Sequence, residues 1–358
     1  VNPWTAWMRS ALGSKNFGLI IGLLVFVVIG WFAFASPFQL FSWWDRSFGD
    51  LYFKLKTATA PQVQQEGAVV KAPDPRISPD IMILGIDNRS IETLGRWPFS
   101  RSLHADLLNS LTRIKDQNQR ERAVFFDFFF LDKENIFEND LAFAGAIGEN
   151  QRVFLETIYS EGALDQDLAD VQFRRLAVLM RKTGRVTDVK GDWKTMPAYL
   201  TVQAPLIPFA SQARGEGFAT FSPDEDEVFR RQNLVSKISQ VTAEYELSQL
   251  QPDTSDYEAQ YQRYVYTDKT GQKVTLPAPL TADVIKTLPG LLAKNGLSRQ
   301  IEVEGSDQLK DVYYVQKVQD IFLPSITLAL ALEYWHKKPE DVHVVLGKDI
   351  VVSNPELY

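Results

Sequence analysis

The sequence predicts an α/β fold: a mainly parallel sheet with helices on both faces and some antiparallel hairpins, preceded by one N-terminal transmembrane helix. Three observations lead there. Short continuous apolar runs at 81–86, 123–130 and 153–159 alternate with stretches of helical spacing, the rhythm of parallel βαβ units with right-handed crossovers. No charged side chain occurs from Asn16 to Trp44. The 358 residues, 45% hydrophobic and 23% charged, are ordinary globular material. At about 150 residues per domain, that length suggests roughly two domains or one with a large insertion.

Composition excludes several functions. With 38 basic against 45 acidic side chains and a net charge of −7, the chain lacks the basic footprint of a nucleic-acid binder, and no nucleic-acid partner is expected. The absence of cysteine removes disulfides, Cys-ligated zinc, iron–sulfur clusters and thiol nucleophiles. Three histidines leave little room for His-based metal or triad chemistry.

Taken in order, residues 1–16 read as a cytoplasmic N-terminus and 17–35 as the span. As a helix these positions cover about 28 Å, close to the hydrocarbon thickness of a bilayer. A buried core helix and a cleaved signal peptide are the competing readings, the latter because Ala33-Phe34-Ala35 has the small-x-small form. The apolar run exceeds a typical signal-peptide core of about 7–15 residues, so an uncleaved anchor is preferred. Arg9 and Lys15 put the N-terminus inside, against Arg46, Lys54 and Lys56 on the other side. Ser36-Pro37 breaks the helix, Trp43-Trp44 suit the headgroup level, and 36–56 lead out of the membrane. There Phe48, Leu51, Tyr52 and Leu55 form an apolar stripe that packs on the outer domain or lies on lipid.

The outer domain is expected from 57 to 358. Residues 57–80, with Ala60-Pro61, Ala72-Pro73 and Asp74-Pro75, read as a linker. The run 81–86 reads as a first buried strand, ended by Asp87. Ser100 caps a helix with Leu103, Leu107, Leu108 and Leu111 on one face. Then come a strand at 123–130, a helix from Asn139, a strand at 153–159 and a helix at 164–182 whose acids lie early and bases late. A short helix at 205–213 and strands at 215–221 and 234–241 follow. Residues 245–320 read as an insertion containing a hairpin around Asp268-Lys269-Thr270-Gly271. Pro324 opens a helix through His336, and 342–352 close the chain as a hairpin.

Catalytic signatures are missing: no phosphate-binding Gly loop, no Gly-x-Ser-x-Gly, no His-Glu-x-x-His. No metal, no cofactor and no catalytic residue are expected. Asp224-Glu225-Asp226-Glu227 is a solvated acidic turn, since a calcium loop would need Gly at Phe229 and Glu at Val235. The candidates for ligand binding or sensing are Asp87 and Asp127, near the C-terminal ends of parallel strands where open α/β sheets bind ligands, with Arg101 and His104 beside them. An ion pair with Arg101 or Arg96 would make the same aspartates structural. His104 is read as a hydrogen-bonded residue at the core edge, or as a pH sensor. His336 and His343 are isolated in sequence.

Ile83-Leu84-Gly85-Ile86-Asp87-Asn88-Arg89-Ser90, then Leu94-Gly95-Arg96-Trp97-Pro98-Phe99-Ser100-Arg101-Ser102-Leu103-His104-Ala105, then Val124-Phe125-Phe126-Asp127, resemble the opening of a CHASE2 domain. Asp140-Leu141-Ala142, Gly217-Phe218 through Pro223-Asp224 to Arg230-Arg231, and Pro324-Ser325 continue the likeness, over roughly 45–352. Glu227 departs from it, standing where the family tends to have Gly, as do Tyr52, Lys56 and the length of 245–320. The resemblance implies an extracytoplasmic sensory module of bacterial membrane signalling proteins, anchored by an N-terminal helix and coupled to a cytoplasmic cyclase or kinase. On this reading the chain lies in the bacterial inner membrane with its main domain periplasmic. Its partners are the lipid bilayer and a second copy or larger membrane complex, and the small ligand is undefined. The competing readings are a single-span envelope protein serving as an assembly partner, and a periplasmic metal enzyme using Asp87 and Asp127.

Overall fold

The computed structural model describes residues 17–34, 40–58, 62–65, 68–71, 80–160, 162, 166–221, 223–224, 227–229, 232–302 and 309–353. The expected cytoplasmic N-terminus, the Ser36-Pro37 break and the parts of the linker at 59–61 and 72–79 lie outside the described residues. The chain divides into two compact units, Val1–Asn88 and Arg89–Tyr358.

In the first unit, α1 (Phe17–Phe34) is apolar on every side, with Leu19, Leu23, Leu24 and Phe26 exposed. Side chains along it are described at 18–19 and 21–31. Among the described residues, no helix is long and apolar enough to cross a membrane. The exit helix α2 (Leu40–Ala58) starts earlier than its charges suggest, and its stripe of Trp44, Phe48, Leu51 and Leu55 is exposed. Two expectations are corrected in the segment that follows. The linker contains a hairpin, β1 (Gln62–Gln65) paired antiparallel to β2 (Ala68–Lys71). Backbone pairing there needs no apolar period, so a strand of glutamines gave no hydrophobic signal. Conversely, residues 81–86 form no paired strand, and Ile81, Met82, Ile83 and Leu84 are well over half exposed. An apolar run becomes a strand only when a neighbour takes its N–H and C=O groups.

The second unit starts with α3 (Asn88–Leu94), whose first residue closes the unit before it. Helix α4 (Arg101–Thr112) is capped as its sequence dictates: the Ser100 side chain accepts from the Ser102 N–H at 3.3 Å. Strand β3 (Val124–Phe126) is shorter than its apolar run, because 127–130 leave the ladder. Helix α5 (Phe137–Asn150) carries Glu138 and Asp140 in its first turn and stops where Gln151 turns left-handed at φ 63°. Strand β4 (Val153–Ser160) is the centre of the parallel part, and α6 (Gln166–Thr183) follows it. Three short strands, β5 (Asp188–Lys190), β6 (Ala198–Tyr199) and β7 (Thr201–Gln203), lead to helix α7 (Ile207–Gln212) and strand β8 (Gly215–Phe218).

β3, β4 and β8 are parallel neighbours, with β4 between the other two, and β7 runs antiparallel against the end of β4. The β3–β4 pair meets the βαβ expectation, and β8 rather than 81–86 supplies the third parallel strand. The sheet is not mainly parallel, however, because the longest strands pair the other way. β9 (Val235–Glu246) and β13 (Leu309–Pro324) are antiparallel over their length, and β10 (Gln262–Thr267), β11 (Lys273–Thr275) and β12 (Ser298–Glu302) add antiparallel pairs. The far ends of β9 and β13, with helix α8 (Ala282–Asn295), enclose a core of their own around Tyr257, Tyr264, Leu280, Leu288 and Val315. The expected hairpin is there, β10 against β11. Within this sheet a buried network satisfies its charges: Arg263 Nε donates to Asp320 at 2.8 Å, Ser239 Oγ donates to the same carboxylate, and Lys237 Nζ donates to the Trp193 carbonyl at 2.8 Å. Burial pushes the Lys237 ammonium down to about 8, against the pull of Asp320.

Helix α9 (Ile326–Tyr334) is capped by Ser325, whose Oγ accepts from the Leu328 N–H. β14 (Val342–Val345) pairs with β15 (Asp349–Val352) as expected and also runs parallel to β5. His343 is not isolated: its Nδ1 meets Asp188 and its Nε2 meets Ser353, both at 2.7 Å. In the acidic turn Glu227 is left-handed at φ 61°, the conformation that suits glycine best.

α9 lies directly on β8. A Cβ at Gly217 would stand 2.5 Å from the Ile326 backbone, whereas one at Gly145 on α5 would meet nothing within 4 Å. Gly217→Ala is therefore expected to cost about 1–3 kcal/mol by overpacking, and Gly145→Ala to be neutral or stabilising by up to about 1 kcal/mol. Urea unfolding midpoints of the two variants check the contrast.

Candidate functional site

Side chains alternate along a strand, so Phe154, Glu156 and Ile158 share one face of β4 while Val153, Leu155, Thr157 and Tyr159 share the other. The first face is covered at its start by Ile326 and Ala329 of α9. Its middle is occupied by Glu156, 4% exposed, and its end opens toward solvent. Asp127, one residue beyond β3, comes within hydrogen-bonding reach of Glu156. Two carboxyls share that reach only with a proton between them. Burial first, and then the Asp127 charge, push Glu156 up to about 7. Beyond the pair, Phe129, Ile158, Ala219, Thr220, Phe221 and Phe229 line an open groove of about 500 Å³. These are the C-terminal ends of parallel strands, where open α/β sheets place their ligands.

A second buried carboxyl sits on the opposite face. Glu216 of β8 stands opposite Leu155, fully buried, and neither of its oxygens has a hydrogen-bond partner. The buried hydroxyls of Thr157 and Tyr159 on this face also lack partners. Burial pushes Glu216 up to about 8, with Lys182 pulling the other way.

The four residues singled out by sequence separate. Arg101 and His104, one turn apart on α4, face inward. Arg101 makes an ion pair with Asp140 of α5, bonds to the Asp132 carbonyl, and lies 5.1 Å above the Phe209 ring. His104 stands among Phe126, Phe128, Phe130 and Phe143 with ring centroids 5.5–5.9 Å away. Burial, and then Arg101, hold its imidazole below the usual range, so it stays neutral where an exposed histidine would begin to charge. Asp87 precedes α3 in the first unit. Asp127 meets Glu156. That acid went unnoticed in the sequence, although a single charge inside Val153-Phe154-Leu155-Glu156-Thr157-Ile158 was its signal. Glu216, between two glycines, carried a similar one. Among the described residues, no group of three or more His, Cys, Asp or Glu side chains could hold a metal.

The CHASE2 domain family matches residues 22–349, and the chain belongs to that family. CHASE2 is an extracytoplasmic sensory domain of membrane signalling proteins, not a catalytic one. No curated protein and no solved structure matches the chain.

Glu216 gives a pH test. It is protonated in the fold up to about pH 8 but ionised in the unfolded chain above about 4.5, so stability is lost as pH rises through that interval. Each unit of displacement is worth about 1.4 kcal/mol. Glu216→Gln, neutral at every pH, is expected to flatten the decline, with a higher unfolding midpoint than wild type at pH 8.5 and no such gain at pH 4.5. Urea titrations at the two values read it directly.

Proposed function

We propose that this chain is the membrane-anchored input domain of a signalling protein, outside the cytoplasm, and that it passes its signal to a cytoplasmic effector, a nucleotide cyclase. The observation that carries this reading is the CHASE2 match over most of the chain. The uncharged run through α1, with Leu19, Leu23, Leu24 and Phe26 exposed, supports an anchor with its N-terminus inside. The exposed stripe on α2 supports a homodimer, in which a small shift of paired helices would bias a two-state arrangement. Within the domain, the carboxyl pair and its groove take the sensing role assigned to the C-terminal edge of the parallel strands, while Arg101 and His104 fix α4 to its neighbours.

The test is the complete gene. Reading past the codon for Tyr358 is expected to find further spans and a cyclase sequence. Inner membranes carrying the full-length protein are expected to form cyclic nucleotide from ATP or GTP at a rate that changes severalfold with Asp127→Asn or Glu156→Gln. A stop codon after Tyr358 would overturn the receptor reading in favour of an assembly partner, as would an effector indifferent to both substitutions.

A further inference from the structure

The groove lies along the same strand ends as the carboxyl pair. Ile158 follows Glu156 by two residues on the same face of β4, and Phe129 follows Asp127 by two beyond β3. Ala219 continues β8 beside them. Among the described residues, Arg122 lies 5.2 Å from the Tyr334 ring of α9. β8 contributes Gly215 and Gly217, α9 contributes Ile326, Ala329 and Leu330, and β3 contributes Asp127. The other charged groups near this face, Arg214 and Glu333, are paired with each other at 3.1 Å, and the Arg214 N–H bonds to Val153 at the opposite end of β4. Among the described residues, neither Asp127 nor Glu156 has a cationic partner. Glu156 is more than nine-tenths buried while Asp127 is exposed to solvent, so an arriving ligand meets the pair through Asp127, and a proton or an incoming cation balances the buried carboxyl.

We propose that the pair and the groove form one binding site for an amphipathic monocation, its ammonium group seated between Asp127 and Glu156 and its hydrocarbon tail lying along Phe129, Ile158, Ala219, Phe221 and Phe229. The proposal names the ligand class for the sensory site and rests on the sensory reading for its biological meaning. Binding exchanges charge for charge: the ammonium enters and the shared proton leaves to solvent. The exchange leaves the net charge of the site unchanged, one cation replacing another between the two carboxyl groups. The apolar lining rewards tail length, by up to about fourfold in affinity per buried methylene.

The full chain in nanodiscs, with empty nanodiscs as reference, is titrated calorimetrically with n-octylammonium, n-butylammonium, octanol and octanoate at pH 6 and pH 8. Octylammonium is expected to bind at least tenfold more tightly than octanol or octanoate, and severalfold more tightly at pH 8 than at pH 6. Asp127→Asn and Glu156→Gln should each weaken it tenfold or more, while Phe221→Ala should weaken octylammonium but not butylammonium. Equal binding of octanol and octylammonium would overturn the proposal. So would binding indifferent to both carboxyl substitutions, or calcium binding with which octylammonium does not compete. Octylammonium that binds as described yet leaves effector output of full-length membranes unchanged would instead contradict the sensory reading, so the two fail separately.

Discussion

The close approach of β8 to α9 is the constraint on which the rest of the second unit depends. Gly215 leaves room for the Phe154 ring, and Gly217 leaves room for the Ile326 backbone, so the helix lies on the sheet without intervening side chains. At the same place Phe218 bridges to Ser325, and the Ser325 N–H donates to the Leu234 carbonyl at 2.7 Å. This backbone junction joins the parallel strands to the long antiparallel pair, together with the pairing of β6 to β9 and of β7 to β4. Because α9 starts at Ile326, it covers the start of the β4 face and leaves its end open. The groove at the C-terminal edge exists because the helix begins where it does.

Burying Glu156 next to Asp127 costs stability that packing alone does not explain. A leucine or isoleucine at that position would satisfy the same face with no desolvation penalty. Elsewhere the protein neutralises its buried charges with care. Arg263, Asp320 and Ser239 close a network inside the antiparallel sheet, and Arg101 is held by Asp140 on α5. Among the described residues, Glu156 and Glu216 lie buried outside any such network.

Local signals in the sequence were the readable ones. Ser100 as a cap, the helical spacing of α4, a helix opening near Asn139 and the hairpin around Asp268 to Gly271 each act within a few residues, and each took the expected form. The parallel pairing of β3 with β4 followed from the rhythm of strands and helices, whereas the third parallel neighbour is β8 rather than 81–86. What escaped was set by distant partners. β9 and β13 carry polar residues throughout, and their dominance as an antiparallel pair comes from register over twelve and sixteen residues rather than from hydrophobic period. Residues 81–86 are apolar enough to be a strand and remain unpaired, while the glutamines of β1 pair without apolar help. Asp127 could be singled out at a strand end, but its partner Glu156 could not, because adjacency of two strands is a fact of topology. The two buried acids were visible only as charges in apolar surroundings, a pattern with many causes.

The account turns on a proton held between Asp127 and Glu156, and the most direct measurement is a carbon-13 NMR titration of the labelled Glu156 carboxyl in the full chain. The carboxyl is predicted to titrate at about pH 7 in the wild type. In Asp127→Asn it should fall toward the ordinary glutamate range, since the Asp127 charge is the second cause of its displacement after burial. Titration of Glu156 near 4.5 in the wild type, or a value unmoved by Asp127→Asn, would contradict the account.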